Sequence, residues 1–233
     1  MTTTTPVPAP APADSGGGAV GDFFARVETR SNPWPPGRAD LHWHVLFPVD
    51  VVKRRLVAPY REITHRPGLT PVPAQWAHLT VLHGGPVDEY RPGEIEAITQ
   101  RVRDRCAGIE PFSLTFDRPT VGRVALECPA RPGAPARRLW EVTARVDHEV
   151  TGGRFPLIPA DYYPHISLAY GTPGESHPTG ADRTALKRAL SDHPGEPVTL
   201  RADRLCLVSQ VHDRQHITWT HLATIPLGAE AKR

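Results

Sequence analysis

The chain has little of several features that would narrow its class at once. It contains only three cysteines in 233 residues. Cys106, Cys128 and Cys206 form no C-x-x-C pair, which argues against a disulfide framework or a thiolate metal site and favours a reducing cytoplasm. No run of about 18 apolar residues occurs, so we expect no membrane-spanning helix. The net charge is only +2, which argues against binding nucleic acid by charge alone.

The hydrophobic content of 39% is low for a globular protein, and the shortfall lies at the start of the chain. Residues 1–37, beginning MTTTTPVPAPAPADSGGG, are mostly Thr, Pro, Ala, Gly and Ser. Such a composition buries too little apolar surface to offset the entropy of ordering the chain, and it lacks the pattern of a secretory signal. We predict a disordered tail over 1–37, one domain over 38–228 and a short tail over 229–233.

The rest of the chain shows short segments of clear periodicity. Apolar residues at helical spacing predict helices over 49–60, 93–107, 139–150 and 185–190. Alternating or short apolar runs predict strands over 41–47, 77–82, 112–116, 121–127, 166–170, 198–200, 204–208 and 217–225. Because these strands are separated by hairpin-like gaps and follow no strict βαβ rhythm, the pattern predicts an α+β fold with a mainly antiparallel sheet.

Two of the predicted strands carry the same short pattern. WAHLTVLHGG contains His78-Leu79-Thr80, and YYPHISLAYG contains His165-Ile166-Ser167. Residues i and i+2 of a strand share one face and lie about 7 Å apart, so each strand presents an imidazole and a hydroxyl together. The residue between them is apolar and faces the core. The repetition of the pair predicts that the two strands line one cleft.

Two histidines and two hydroxyls suit phosphate ester chemistry without a metal ion. Histidine exchanges protons near neutral pH, so one imidazole can act as general base and the other as general acid. A hydroxyl beside each imidazole can donate a hydrogen bond to a non-bridging phosphate oxygen and stabilise charge that grows there. The set suits cyclic phosphates especially, where one histidine activates the attacking group and the other protonates the leaving ribose oxygen.

The two motifs, HLTV at 78–81 and HISL at 165–168, resemble the paired H-x-[ST]-φ signatures (φ is apolar) of the two-histidine (2H) phosphoesterase superfamily. Within that superfamily the chain is most similar to the bacterial 2′-5′ RNA ligase and cyclic phosphodiesterase group. The segments HWHVLFP, PHISLAY and ITWTHLATIPLG support the resemblance, which covers roughly residues 41–228. Serine in place of threonine in the second motif lies within the family pattern.

The resemblance implies a bilobal fold, with two pseudo-symmetric lobes, flanking helices and a central cleft that holds one motif from each lobe. It implies that His78 and His165 are the acid–base pair and that Thr80 and Ser167 hold the phosphate. The implied activity is metal-independent hydrolysis of 2′,3′-cyclic phosphates to 2′-phosphates, or reversible 2′-5′ RNA ligation, with no cofactor. The implied partners are RNA ends with a 2′,3′-cyclic phosphate or small cyclic nucleotides. We expect no membrane and no obligate protein partner.

Several further residues are candidates for the lining of the cleft. We expect His44, Trp76 and Tyr163 to reach it, although structural roles for all three stay open. His42 and His44 form an H-x-H pair that could bind a metal ion, but no third ligand follows at a telling spacing. By alternation, His83 is expected to face away from the hydroxyl of the first motif.

The motifs leave some functional alternatives open. The same cleft could hold a nucleotide or an RNA end without turnover, which would make the protein a binding module. A histidine-rich metallohydrolase is a second alternative. Six arginines could guide a phosphate backbone or form a solvated face: Arg54, Arg55, Arg61, Arg201, Arg204 and Arg214. The two motifs are too alike for the sequence to say which histidine is the base.

Overall fold

The computed structural model describes residues 18–159, 162–174 and 178–228. In this part of the chain, ten strands are joined by antiparallel pairing. They are β1 (Asp40–Val45), β2 (Leu69–Pro71), β3 (Leu79–Pro86), β4 (Phe112–Phe116), β5 (Thr120–Val121), β6 (Ala125–Arg131), β7 (His165–Gly171), β8 (Val198–Ala202), β9 (Arg204–His212) and β10 (Ile217–Pro226).

The strands form two lobes that meet at the centre of the sheet. Eight of them follow the order β10-β9-β1-β3-β7-β6-β4-β8, while β2 pairs with β7 and β5 pairs with β6. The first lobe is β10-β9-β1-β3 and the second is β7-β6-β4-β8. The chain therefore returns to the first lobe for its last two strands. This arrangement confirms the predicted α+β class with two lobes of antiparallel sheet.

Six α-helices flank the sheet in the described residues. They are α1 (Phe23–Thr29), α2 (Val49–Val52), α3 (Arg61–Thr64), α4 (Glu94–Cys106), α5 (Gly133–Thr151) and α6 (Arg183–Asp192). The longest two, α4 and α5, pack against each other, and they contact β10 and β3 respectively. The apolar stripe predicted for α4 is buried at Ile98, Val102 and Cys106.

Two predicted elements are broken in the structure. The helix expected over 49–60 consists of α2, a π-helical turn (Lys53–Val57) and a 3-10 turn (Ala58–Tyr60), with α3 following. Its predicted stripe of Val52, Leu56 and Tyr60 is nevertheless buried. The strand expected over 121–127 is divided between β5 and β6 by a turn in which Gly122 donates its backbone N–H to the Ala125 carbonyl.

The prediction of a disordered tail is wrong for residues 18–37. Helix α1 is capped by Asp22, whose Oδ1 accepts from the backbone N–H groups of Phe24 and Ala25. Phe24 and Trp34 are 1% and 2% exposed and belong to the main core. The low-complexity composition belongs to the residues before Gly18, whereas the apolar spacing that buries α1 begins at Phe23. Residues 1–17 and 229–233 lie outside the described residues, so both terminal tails stay predictions there.

The cysteines are buried and unpaired. Cys106, Cys128 and Cys206 are all free, and burial raises the pKa of the Cys106 thiol to about 11. They therefore act as small apolar side chains in the core, as a sequence without a C-x-x-C pair predicts. Among the helices of the described ranges, none combines the length and the apolarity needed to cross a bilayer.

Candidate active site

The two histidine motifs meet where the lobes join. Strands β3 and β7 pair with Leu79 opposite Ile166, and both of these side chains are fully buried. In antiparallel register, one step to either side sets His78 opposite Ser167 and Thr80 opposite His165. Each imidazole therefore lies across from the hydroxyl of the other motif. The sheet brings together residues 87 positions apart in the chain because the central strand pair joins the two lobes.

A bulge follows each motif and adds a residue to the cleft face. The register between β1 and β3 shifts so that one extra residue stands between Thr80 and Leu82. The register between β6 and β7 shifts in the same way after Ser167. An extra residue reverses the alternation of the side chains beyond it. His83 and Tyr170 therefore face the cleft, which corrects the expectation that His83 faces away.

His78 is held rigidly in an apolar pocket. Its Nδ1–H donates to the Trp76 carbonyl at 2.8 Å, which leaves Nε2 free to accept a proton. The ring stacks on His44 with centroids 4.1 Å apart, and it packs against the Trp219 ring in a T-shaped contact with centroids 5.0 Å apart. His78 is only 8% exposed, and this burial lowers its pKa to about 4. The imidazole is therefore neutral at pH 7.

His165 has the same backbone anchor in a different environment. Its Nδ1–H donates to the Tyr163 carbonyl at 2.9 Å, and the Tyr163 ring stacks on it at 5.2 Å. The Glu127 carboxylate lies 3.5 Å from Nε2, whereas no carboxylate among the described residues pairs with His78. The His165 side chain is also one-third exposed. The His165 imidazole therefore faces a carboxylate and solvent, whereas the His78 imidazole is enclosed by other rings.

The cleft around these residues has a volume of about 330 Å³, at the small end of the range of roughly 300–1,000 Å³ for ligand sites. Its lining includes His78, Thr80, His165 and Ser167, together with Tyr163. A larger groove of about 690 Å³ lies between α4 and β10, but it contains neither motif. The chemistry of the lining, rather than the volume, identifies the smaller cleft as the candidate site.

Two of the expected lining residues lie behind the cleft instead. His44 is fully buried and reaches the site through its ring contacts with His78 and His42. Trp76 packs edge-on against Trp219 at 4.8 Å and supports His78 through its carbonyl. Strand β1 does lie beside β3 as expected, but the His44 ring is covered by that of His78. Both residues shape the environment of His78 without lining the cleft.

Four further polar residues line the cleft but were not assigned to it from the sequence: Arg30, His42, His83 and Gln210. Arg30 lies in the segment interpreted as a tail. His42 was named from the sequence only as part of the H-x-H pair with His44, and its ring stacks on His83 with centroids 4.0 Å apart. In the ranges that the structure describes, no group of three His, Cys, Asp or Glu side chains is placed to hold a metal ion.

The arginines considered as guides for a phosphate backbone lie elsewhere. Arg55, Arg201 and Arg204 line a groove of about 610 Å³ that does not contain the motifs. Arg204 is paired there with Asp203 at 2.7 Å. Arg214 is paired with Glu28 of α1 at 2.8 Å. For Arg204 and Arg214, these contacts favour the interpretation as paired residues of a solvated surface.

Several solved structures are similar to this chain in fold. The Escherichia coli protein LigT, complexed with 3′-AMP, is 17% identical, with a TM-score of 0.58 over 82% of this chain and 98% of its own. TT0787 of Thermus thermophilus is 22% identical, with a TM-score of 0.58 over 82% of this chain and 100% of its own. A structure described as a phosphoesterase is 16% identical, with a TM-score of 0.60 over 81% and 98% of the two chains.

A search of curated proteins gives no significant match. The family model of the 2′-5′ RNA ligase superfamily matches residues 48–214, which is well over half of the chain and includes both histidine motifs. The matched span runs from α2 to the end of β9 and thus contains the strand pair that joins the lobes. The fold, the two motifs and this match agree, and the chain belongs to the 2′-5′ RNA ligase superfamily, a group of two-histidine phosphoesterases.

Proposed function

We propose that the protein is a metal-independent phosphoesterase that opens 2′,3′-cyclic phosphates of RNA ends or related nucleotides to 2′-phosphates. The reverse direction, which joins a 2′-5′ linkage, would use the same groups. The observation that carries the proposal is the crosswise arrangement of two imidazoles and two hydroxyls around one small cleft. The buried, unpaired cysteines fit a cytoplasmic location, which is part of the proposal.

The different environments of the histidines support different roles. His78 is neutral and has a free Nε2, which suits the role of general base. His165 lies beside the Glu127 carboxylate and is more exposed, and we assign it the complementary role of general acid. Thr80 and Ser167 donate to the non-bridging oxygens and stabilise the charge that grows there in the transition state.

The proposed hydrolysis is balanced in atoms and protons. The Nε2 of His78 takes a proton from water as the water oxygen attacks phosphorus. The bond between phosphorus and the ribose O3′ breaks, and the Nε2–H of His165 gives its proton to that oxygen. The product is a 2′-phosphate with a free 3′-hydroxyl. Proton exchange with solvent then returns both imidazoles to their starting states.

A product assay tests this proposal. The full chain is incubated with chelator and each of the four nucleoside 2′,3′-cyclic monophosphates, and with a short RNA that ends in a 2′,3′-cyclic phosphate. Products are separated as 2′- or 3′-phosphates. We expect 2′-phosphate from the wild-type protein, and loss of turnover by at least about a hundredfold in His78→Ala and in His165→Ala, since each removes a general acid–base group.

His148→Ala is the matched control, because His148 is an exposed histidine on α5 outside the cleft. It should retain wild-type turnover. Full activity in both motif variants would refute the assignment of the site. Saturable nucleotide binding with no product in any reaction would favour the non-catalytic binding module, and activity that is lost with chelator and restored by a divalent ion would favour a metallohydrolase.

A further inference from the structure

The segment before β1 forms one wall of the candidate active site. Phe23, Val27, Arg30 and Trp34 line the same 330 Å³ cleft as both histidine motifs. A backbone hydrogen bond holds the segment against the rest of the molecule, since the Val20 N–H donates to the Ala181 carbonyl at 2.8 Å. All of these wall residues precede the span matched by the family model, which begins at residue 48. This wall is therefore a feature of the chain beyond the shared family motifs.

Arg30 is the charged residue that this wall brings to the cleft, and neutral acceptors hold it in place. Its Nε donates to the Asn32 carbonyl at 3.0 Å, and its Nη2 donates to Nδ1 of His83. His83 in turn donates from Nε2 to Asp40 at 2.6 Å. Both Asp40 oxygens also accept from Arg38, at 2.7 and 2.8 Å. The carboxylate is thus already occupied, and Arg30 has no direct carboxylate partner among the described residues.

The cluster of Arg30, Arg38, Asp40 and His83 therefore carries a net charge of +1 by itself, and the further carboxylates of Asp88 and Glu89 act on it at Arg38. It contains two guanidinium groups and one carboxylate, because burial lowers the pKa of His83 to about 4 and keeps that ring neutral. Burial also lowers the pKa of Arg30 to about 10, which still leaves it charged at neutral pH. A partly desolvated cation without an anion is costly, and a bound anion would compensate it.

Two further polar groups of the cleft lie in contact with this cluster. The Gln210 amide nitrogen lies 3.3 Å from Nδ1 of His42, and a hydrogen bond donated there places the imidazole proton on Nε2. Within the described part of the chain, that Nε2 has no hydrogen-bond partner, and neither does the Gln210 amide oxygen. Both residues line the cleft. A ligand that brings oxygen acceptors and a hydroxyl would satisfy them.

The position of the cluster relates it to the phosphate-handling motifs. His83 comes three positions after Thr80, and one of the three residues is the bulge residue. The two remaining residues of regular strand span about 7 Å, so the His83 side chain lies about that distance or slightly more from the Thr80 hydroxyl. A ribose spans a comparable distance between a phosphate on its 2′ and 3′ oxygens and one on its 5′ oxygen. We propose that Arg30 binds a second phosphate on the 5′ side of the substrate ribose, so that the preferred substrate is a nucleotide that carries both a 5′-phosphate and a 2′,3′-cyclic phosphate.

This inference rests on the proposed function, and its experiment separates the two. kcat/KM is measured for adenosine 2′,3′-cyclic phosphate, for the same compound with a 5′-phosphate, and for a dinucleotide that ends in the same cyclic phosphate. We expect the wild-type protein to prefer the 5′-phosphorylated compound about tenfold, the effect of one charge-assisted hydrogen bond. The dinucleotide shows whether the diester of an RNA chain serves as well as the free 5′-phosphate.

Arg30→Gln should reduce the ratio of the two mononucleotide values to about 1, and Arg30→Lys should keep part of it. Arg26→Gln is the matched control, because Arg26 is an exposed arginine of α1 that does not line the cleft. It should keep the wild-type ratio. Turnover of both compounds at equal kcat/KM by the wild-type protein would overturn the subsite and leave the proposed function standing.

A binding measurement decides the question if the proposed function fails. Adenosine 3′,5′-bisphosphate and adenosine 3′-monophosphate are titrated into the wild-type and Arg30→Gln proteins by calorimetry. We expect the wild-type protein to bind the bisphosphate about tenfold more tightly than the monophosphate. We expect the Arg30→Gln protein to bind the two ligands with equal affinity. Equal binding of the two ligands to the wild-type protein would overturn the subsite, whatever the outcome of the activity assays. Circular dichroism shows that the Arg30 variants are folded.

Discussion

The burial of His78 makes a quantitative prediction about pH. Its pKa is lowered from 6.5 to about 4 because the imidazole is desolvated between His44 and Trp219. At pH 5.5 about 97% of such a group is neutral, against about 9% of an imidazole with the ordinary pKa. kcat/KM should therefore stay near its plateau at pH 5.5, whereas an unperturbed base would lose about tenfold of its rate there.

The assay is kcat/KM for a nucleoside 2′,3′-cyclic phosphate between pH 4 and 8, which reports the ionisation of the free enzyme. Trp219→Ala removes the ring whose centroid lies 5.0 Å from that of His78 and admits water. We expect the acid limb of this variant to move from about 4 towards 6.5. Trp140→Ala is the control, because Trp140 is also partly buried but packs on Tyr162 outside the cleft.

An acid limb near 6.5 in the wild-type protein would refute the argument from burial and remove the reason for assigning His78 as the base. An equal shift in both tryptophan variants would show that the change is a general effect on the fold. A limb that moves only in Trp219→Ala ties the ionisation to the environment of His78.

Three other measurements test the site and the fold. Thr80→Ala and Ser167→Ala should each lower kcat/KM by about tenfold to a thousandfold in steady-state assays, since each loses one hydrogen bond to the phosphate in the transition state. The free energy of unfolding in urea should fall by roughly 2 kcal/mol for each of His78 and His83 between pH 7 and pH 5. The reason is that these histidines take up protons near pH 6.5 in the unfolded chain but only near pH 4 in the folded chain. The buried Asp147 carboxyl of α5, whose pKa is raised to about 6, offsets roughly 1 kcal/mol of this loss. Gly171→Ala should lower the free energy of unfolding by about 1–3 kcal/mol in thermal or urea unfolding, because its Cβ would lie 2.1 Å from a carbonyl oxygen of the segment before α1.

The elements with strong local patterns were predicted well from the sequence. Helix α4 has an unbroken apolar stripe and no proline within it, so its predicted span of 93–107 lies close to the observed Glu94–Cys106. The helix expected over 49–60 is less regular because Pro59 cannot donate a backbone hydrogen bond and interrupts the turn. Local pattern determines such elements when no tertiary contact competes with it.

The candidate site was predicted only in part, for a geometric reason. The residues of the two H-x-[ST] motifs share a face through simple alternation, which a sequence reveals. His83 enters the cleft through a bulge, and a bulge depends on the partner strand β1. Arg30 enters it because α1 packs against the lobes, although the residues before it have the composition of a disordered tail.

The sequence by itself determined the class of the chemistry, because histidine and hydroxyl side chains two residues apart on a strand must lie side by side. It also determined the family through the repetition of that pattern. Tertiary structure decided how the two histidines differ. Both donate from Nδ1 to a carbonyl two residues earlier, but His78 is enclosed by rings of β1 and β10 and His165 lies beside a carboxylate of β6. Burial and neighbouring charge depend on strands distant in the chain, so the different surroundings of His78 and His165 are visible only in the folded molecule.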